Sequence, residues 1–241
     1  LSEKGWVRAA KGHDIDPMTL AYRSGDSFLA SALGRSNQPA YFFDSTGRSY
    51  SVPAHELPSA RSQGEPLTGR LNPPAGSTFV QVTAGQDEEH VLVASSHGYG
   101  FITQYKELFS KNRSGKALLS LSDGSVVLPP SRVASMETDR IAVVTLEGRM
   151  LVFPVSELPV LNKGKGNKLI QIPSDALSSG NDLVVQVISI AQDQGLKVIA
   201  GKRYLNLSGA DLAAYEGARA RRGNPLPRGF QRVDRLEVQE P

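Results

Sequence analysis

The chain has 241 residues, 39% hydrophobic content and no Cys, so it can bury a sizeable core but holds neither disulfides nor thiolate zinc sites. The net charge is only +3 while the pI is about 9.1, so the basic residues matter through where they cluster. No apolar run approaches the roughly 18 residues of a membrane helix, and a start at Leu1-Ser2-Glu3-Lys4 without a signal peptide reads as a fragment of something longer.

In chain order, Leu1 to Arg35 reads as a shortened unit, with Lys4-Gly5-Trp6-Val7-Arg8 at a hairpin and Gly25-Asp26-Ser27-Phe28 in a closing position. A fuller unit of about fifty residues then recurs four times. Pro39-Ala40-Tyr41-Phe42-Phe43 is a first strand, followed by the turn Ser45-Thr46-Gly47-Arg48, Glu56-Leu57-Pro58 and Gly64-Glu65-Pro66-Leu67. The next has His90 to Ala94, Ser96-His97-Gly98, Glu107-Leu108 and Gly115-Lys116-Ala117-Leu118. The clearest has Arg140 to Thr145, a hairpin turn at Gly148, a return strand Met150 to Phe153, a connector ending at Pro159, the loop Gly164-Lys165-Gly166 and a strand over Leu169-Ile170-Gln171-Ile172. The last has Leu196 to Ala200, Gly201-Lys202-Arg203, Asp211-Leu212 and Gly223-Asn224-Pro225-Leu226. Turn glycines 47, 98, 148 and 201 are spaced by 51, 50 and 53 residues, and a Gly-x-x-Leu closes each unit.

Short apolar strands between Gly and Pro turns predict an all-β fold. The period predicts one repeat domain of about five four-stranded blades, near 1–36, 37–87, 88–137, 138–189 and 190–241. Polar linkers such as Ser174 to Asn181 are expected at the surface. Alternation through Phe230, Val233, Leu236 and Val238 predicts a C-terminal strand that closes the ring against the shortened first unit, beside Leu1 to Val7 and Phe28 to Leu33. A closed ring and a spiral are both compatible with the spacing.

Enzyme motifs fail one by one. Gly115-Lys116 lacks the first glycine and the Ser or Thr of a P-loop. Gly98-x-Gly100 and Gly164-x-Gly166 lack the third glycine of a dinucleotide fingerprint. The four His residues show no ligand spacing, and no Gly-x-Ser-x-Gly elbow is present. Tyr204 follows Lys202-Arg203 but reads as a strand residue with a packed ring.

The basic residues behave differently, because they recur at one position of the unit. Lys111, Arg113 and Lys116 flank one closing glycine; Lys163, Lys165 and Lys168 flank another; Arg219, Arg221, Arg222 and Arg228 flank a third. The unit closing at Gly64 has Arg61 and Arg70 but also Glu65. Equivalent loops of a ring share one rim, and glycines there let backbone approach a phosphate. This pattern points to a polyanion, and the lack of interleaved aromatics favours duplex backbone over stacked single strands. The rival reading is a propeller-type protein-interaction module whose basic loops take an acidic partner.

Several longer strings carry a resemblance. They are Ser2-Glu3-Lys4-Gly5-Trp6-Val7-Arg8, Lys11-Gly12-His13-Asp14-Ile15-Asp16, Phe43-Asp44-Ser45-Thr46-Gly47-Arg48-Ser49-Tyr50, Gln63 to Gly69, Gly148-Arg149-Met150-Leu151 with Phe153-Pro154-Val155-Ser156, and Lys163 to Lys168. With them the whole chain resembles the C-terminal domains of bacterial DNA topoisomerase IV A subunits. The resemblance implies a β-pinwheel, a propeller-like ring whose blades exchange strands, with a rim that binds and bends duplex DNA. It implies a non-catalytic module, since the family's nucleophilic tyrosine lies upstream. The implied parent is an ATP-dependent type IIA topoisomerase that decatenates chromosomes and relaxes supercoils, using ATP and Mg2+, while the domain itself takes no cofactor. Implied partners are duplex DNA, the N-terminal region of the same A subunit, the enzyme's B subunit and a chromosome-organising protein. The implied setting is the bacterial cytoplasm and nucleoid, with peripheral membrane association of the parent left open. The gyrase relative carries an intact Gln-Arg-Arg-Gly-Gly-Lys-Gly loop; here Arg61-Ser62-Gln63-Gly64-Glu65-Pro66-Leu67 is a degenerate counterpart, which favours topoisomerase IV and argues against tight chiral wrapping.

Overall fold

The computed structural model describes residues 1–240. Seventeen short strands follow the repeat. The first unit contributes only β1 (Trp6–Val7). The second contributes β2 (Pro39–Asp44), β3 (Arg48–Pro53), β4 (Glu65–Pro66) and β5 (Phe79–Ala84). The third has β6 (His90–Ala94), β7 (Tyr99–Gln104), β8 (Lys116–Ala117) and β9 (Ser131–Val133). The fourth has β10 (Arg140–Thr145), β11 (Arg149–Pro154), β12 (Asn167–Lys168) and β13 (Val184–Ile190). The fifth has β14 (Gly195–Ala200), β15 (Arg203–Leu207), β16 (Asn224–Pro225) and β17 (Arg235–Gln239).

No blade is built from one unit alone until the last. The sheets run β5-β2-β3-β8, β9-β6-β7-β12 and β13-β10-β11-β16, so each hairpin takes its fourth strand from the following unit. Likewise β1 pairs with β4. This is the strand exchange of a β-pinwheel. The fifth sheet has three strands, β15-β14-β17.

Packing explains why the hairpin strands read as unbroken apolar runs. The three middle sheets are each sandwiched between two others, so both their faces are dry. In β2, Ala40 and Phe42 join a cluster with Val7, Tyr50 and Leu67, whereas Tyr41 and Phe43 join one with Val91, Phe101 and Leu118. In β10, Ile141 and Val143 face back to the third unit, and Ala142 and Val144 face forward to the fifth. Phe42 is fully buried, so Phe42→Ala would cost about 3–5 kcal/mol. The turn before β3 is fixed by Asp44, whose carboxylate accepts from Thr46 N–H (2.8 Å), Arg48 N–H (3.1 Å) and the Tyr50 hydroxyl (2.6 Å). Burial, and then that hydrogen bond, push the Tyr50 hydroxyl above the usual tyrosine range.

Three expectations are corrected. Leu169, Ile170 and Ile172 are buried core residues but not a strand; the strand that joins this unit's own hairpin is β13, further on. The linker does lie largely at the surface, and a short helix within it, α1 (Ser174–Ser178), packs Ala176 and Leu177 on the core. The C-terminal strand does not close the ring on the first unit: β17 pairs with β14, Leu196 opposite Val238 and Val198 opposite Leu236. It fills the place that β5, β9 and β13 fill in their sheets, and pairing nearby in sequence closes a far shorter loop than pairing with residue 1. Tyr204 lies in a strand, but the residue is 62% exposed.

Candidate nucleic-acid interface

Each closing loop lies against the hairpin of the preceding unit in the same way. The N–H of Leu67, Leu118, Leu169 and Leu226 donates to the turn carbonyl of Gly5, Gly47, Gly98 and Gly148, at 2.9, 3.3, 2.7 and 2.7 Å, and Leu119 N–H shares the Gly47 carbonyl at 3.0 Å. The glycine of the Gly-x-x-Leu allows this approach. A Cβ at Gly64, Gly115, Gly166 or Gly223 would lie 2.4, 2.6, 2.1 or 2.6 Å from the carbonyl oxygen of Val7, Ser49, Gly100 or Met150. All four glycines also have positive φ.

The loops are bonded to one another as well. Asn72 N–H donates to Arg113 O (2.8 Å), Ser120 N–H to Gly164 O (2.9 Å), Gly164 N–H to Leu118 O (2.8 Å) and Gln171 N–H to Arg221 O (2.9 Å). The four basic loops therefore form one continuous hydrogen-bonded band across successive units.

Within that band the basic residues have different duties. Arg61, Lys111, Lys163, Arg221 and Arg228 are exposed, and no carboxylate pairs with them among the described residues. Lys165 is exposed and sits 4.1 Å from the Tyr99 ring centre. Lys116, Lys168 and Arg222 are half-buried, and the Lys168 ammonium donates to the Gln171 amide oxygen at 3.1 Å. Arg113 donates to the carbonyls of Arg70 and Gly69, the latter at 2.9 Å, and Arg219 donates to Lys168 O at 2.5 Å. Both act as stitches between neighbouring loops. Arg70 is the exception: its guanidinium pairs with Glu65 and, at 3.4 Å, with Glu56.

Two stitching arginines escaped the reading of the closing loops because they sit on hairpin strands. Arg48 donates to Ser114 O and Gly115 O, both at 2.9 Å, and Arg149 to Gly223 O at 3.0 Å. Their signal was present, since each directly follows a turn glycine. Among the described residues no group of three or more His, Asp or Glu could hold a metal, and no helix is long and apolar enough to cross a membrane. Asp16 caps the turn Pro17–Thr19, accepting from Met18 N–H.

Comparisons with known proteins agree with this architecture. Residues 89–131 and 139–191 match the family described as DNA gyrase C-terminal domain, beta-propeller. The whole chain is 56% identical to part of the A subunit of DNA topoisomerase 4 from Pseudomonas aeruginosa, and it spans 32% of that relative's length. The structure of the C-terminal domain of E. coli ParC is 47% identical, with a TM-score of 0.84 over 100% of this chain and 97% of the other. A DNA gyrase A C-terminal domain at 13% identity shares the fold alone, with a TM-score of 0.71 over 97% of this chain and 79% of the other. With exchanged strands, closing loops and full-length likeness in agreement, the chain belongs to the family of C-terminal domains of topoisomerase IV A subunits.

Proposed function

We propose that the domain holds one segment of duplex DNA along the band of closing loops and bends it, without catalysing a reaction. The observation that supports this reading is the serial bonding of the loops that carry Arg61, Lys111, Lys116, Lys163, Lys165, Lys168, Arg221, Arg222 and Arg228, with Arg113 and Arg219 bonded between neighbouring loops. The band offers no recognition helix to a major groove, so binding is indifferent to sequence. Bending 20–30 bp by 40–90° costs roughly 1–6 kcal/mol, and counterion release at several phosphates offsets it at moderate salt. In this reading the domain selects the DNA crossings on which its parent acts. That parent is an ATP- and Mg2+-dependent type IIA topoisomerase that decatenates and relaxes DNA, assembled with its B subunit and working at the nucleoid.

The test is binding to random-sequence duplex DNA as a function of salt. The logarithm of the affinity should fall against the logarithm of salt with a slope of about −0.9 per phosphate contacted. A slope near zero, or tight binding only to an acidic protein, rejects the reading in favour of a protein-interaction module.

A further inference from the structure

Two large apolar side chains stand exposed on the connectors that lead into the basic loops. Phe109 is 44% exposed and Val160 is 53% exposed. Phe109 precedes the exposed Lys111 by two residues, and Val160 precedes the exposed Lys163 by three. Phe109 stands where the second and fourth units have Pro58 and Pro159, each eleven residues after its turn glycine. Val160 stands where the second and third units have Ser59 and Ser110, one residue further on. These two apolar groups are therefore additions to the shared frame, in the third and fourth units.

Neither sits on a loose segment. The Leu108 carbonyl accepts from the Ser49 hydroxyl, and Ser110 N–H donates to the Ser51 hydroxyl, both at 2.9 Å. Phe109 is thus pinned between two contacts with β3. Val160 is pinned in the same way on β7, where Ile102 N–H donates to Pro159 O at 3.0 Å and Leu161 N–H donates to Ile102 O at 2.9 Å. The neighbouring Leu108 and Leu161 pack into the core that the third unit shares with the second. A lone exposed apolar residue is ordinary. Two on neighbouring connectors, each fixed beside an exposed lysine, place apolar surface between charges.

We propose that Phe109 and Val160 contact sugars and make the band select duplex DNA over duplex RNA. The inference rests on the DNA reading and adds the origin of its selectivity. Cations alone do not discriminate, because both duplexes offer the same phosphates. The distinguishing group is the 2′-hydroxyl, which RNA displays along its wide, shallow minor groove. Deoxyribose offers only C–H at that carbon. With Lys111 and Lys163 on phosphates, Phe109 and Val160 meet the sugars beside them, and apolar area leaves water. On RNA the same approach strips water from a hydroxyl and gives it no new partner, which is costly. The contact is to sugars, so it carries no sequence information.

The test is anisotropy with DNA and RNA duplexes of the same sequence and length, titrated with the domain across a range of salt. The unaltered domain should bind DNA about tenfold tighter than RNA. Phe109→Ser with Val160→Ser should weaken DNA binding about tenfold, leave RNA binding unchanged and leave both salt slopes as they were. Phe109→Leu with Val160→Leu keeps the apolar surface and should keep the discrimination, which guards against a loss caused by misfolding. Equal affinity of the unaltered domain for the two duplexes, or discrimination that survives the serine pair, overturns the proposal and leaves the DNA reading standing. Binding that does not respond to salt on either duplex overturns the DNA reading itself, and this inference with it.

Discussion

The closing loops of the second and fourth units have the same backbone and opposite electrostatics. Both put a glycine over the preceding strand and a leucine N–H on the preceding turn. In the fourth unit Lys163 and Lys165 are exposed and no carboxylate pairs with them among the described residues. In the second unit Arg70 is held by Glu56 and Glu65, which leaves Arg61 as the exposed cation. The loop's shape is therefore set by packing between units, while its charge varies freely on that frame. A charge tally would score Arg70 and Lys165 alike; their carboxylate neighbours separate them.

The strongest test concerns what the two loops share. Gly64→Ala and Gly166→Ala should each destabilise the domain by about 1–3 kcal/mol, from the strained φ and the carbonyl contact. Thermal melting measures this, and a loss at only one site would show that the loops are not built alike. The next effect separates the loops. Replacing Lys163, Lys165 and Lys168 with Ala should flatten the salt slope of duplex binding by up to about 2.7, from about 0.9 per contact. Melting should shift by no more than about 1 kcal/mol, since Lys165 and Lys168 each give up one weak surface contact; a collapse in melting would make these lysines structural. A smaller effect of opposite sign is expected in the second unit. Glu65→Gln should release Arg70 and steepen the slope by up to about 0.9, whereas Arg70→Ala should leave binding unchanged and cost roughly 0–1 kcal/mol of stability.

The smallest effect calibrates an ion pair outside both loops. The hydrogen bond from Arg132 holds the Glu89 carboxyl below its usual value of 4.5, against the opposing effect of burial. A depressed folded value means that the stabilisation is complete above about pH 4.5 and is lost as pH falls through the lower, folded value. Glu89→Gln should therefore flatten the melting profile between about pH 3 and 5 by less than about 1 kcal/mol, with duplex binding untouched.

Much of this was legible in the sequence, and the reasons differ by element. The turn glycines were visible because their positive φ favours glycine, and the Gly-x-x-Leu because backbone crossings this close admit no Cβ. The hairpin strands were visible because sheets dry on both faces select unbroken apolar runs. The strand that follows the closing loop was not: Leu169-Ile170-Gln171-Ile172 and Val184 to Ile190 are equally apolar, and only the second run joins a ladder. The basic loops were legible as a set. Which arginines stitch and which stay exposed was not, because the partners of Arg113 and Arg219 are main-chain carbonyls that any sequence supplies. The exposure of Tyr204 depends on a strand that is missing beside it, which no local pattern encodes.

Strand exchange also governs how such a domain can change size. Every junction from the first unit to the fifth uses one adaptor, a glycine-led strand from the later unit on the hairpin of the earlier. A unit of about fifty residues inserted between any two neighbours would bring its own adaptor and accept the next one. No existing contact surface would need redesign, since nearest-neighbour junctions are the only ones that matter in a repeat array. Removing a unit is equally neat, whereas cutting within one strands a half-finished sheet in its predecessor. Gene duplication can thus lengthen or shorten the band of closing loops in whole steps while each junction stays as it was.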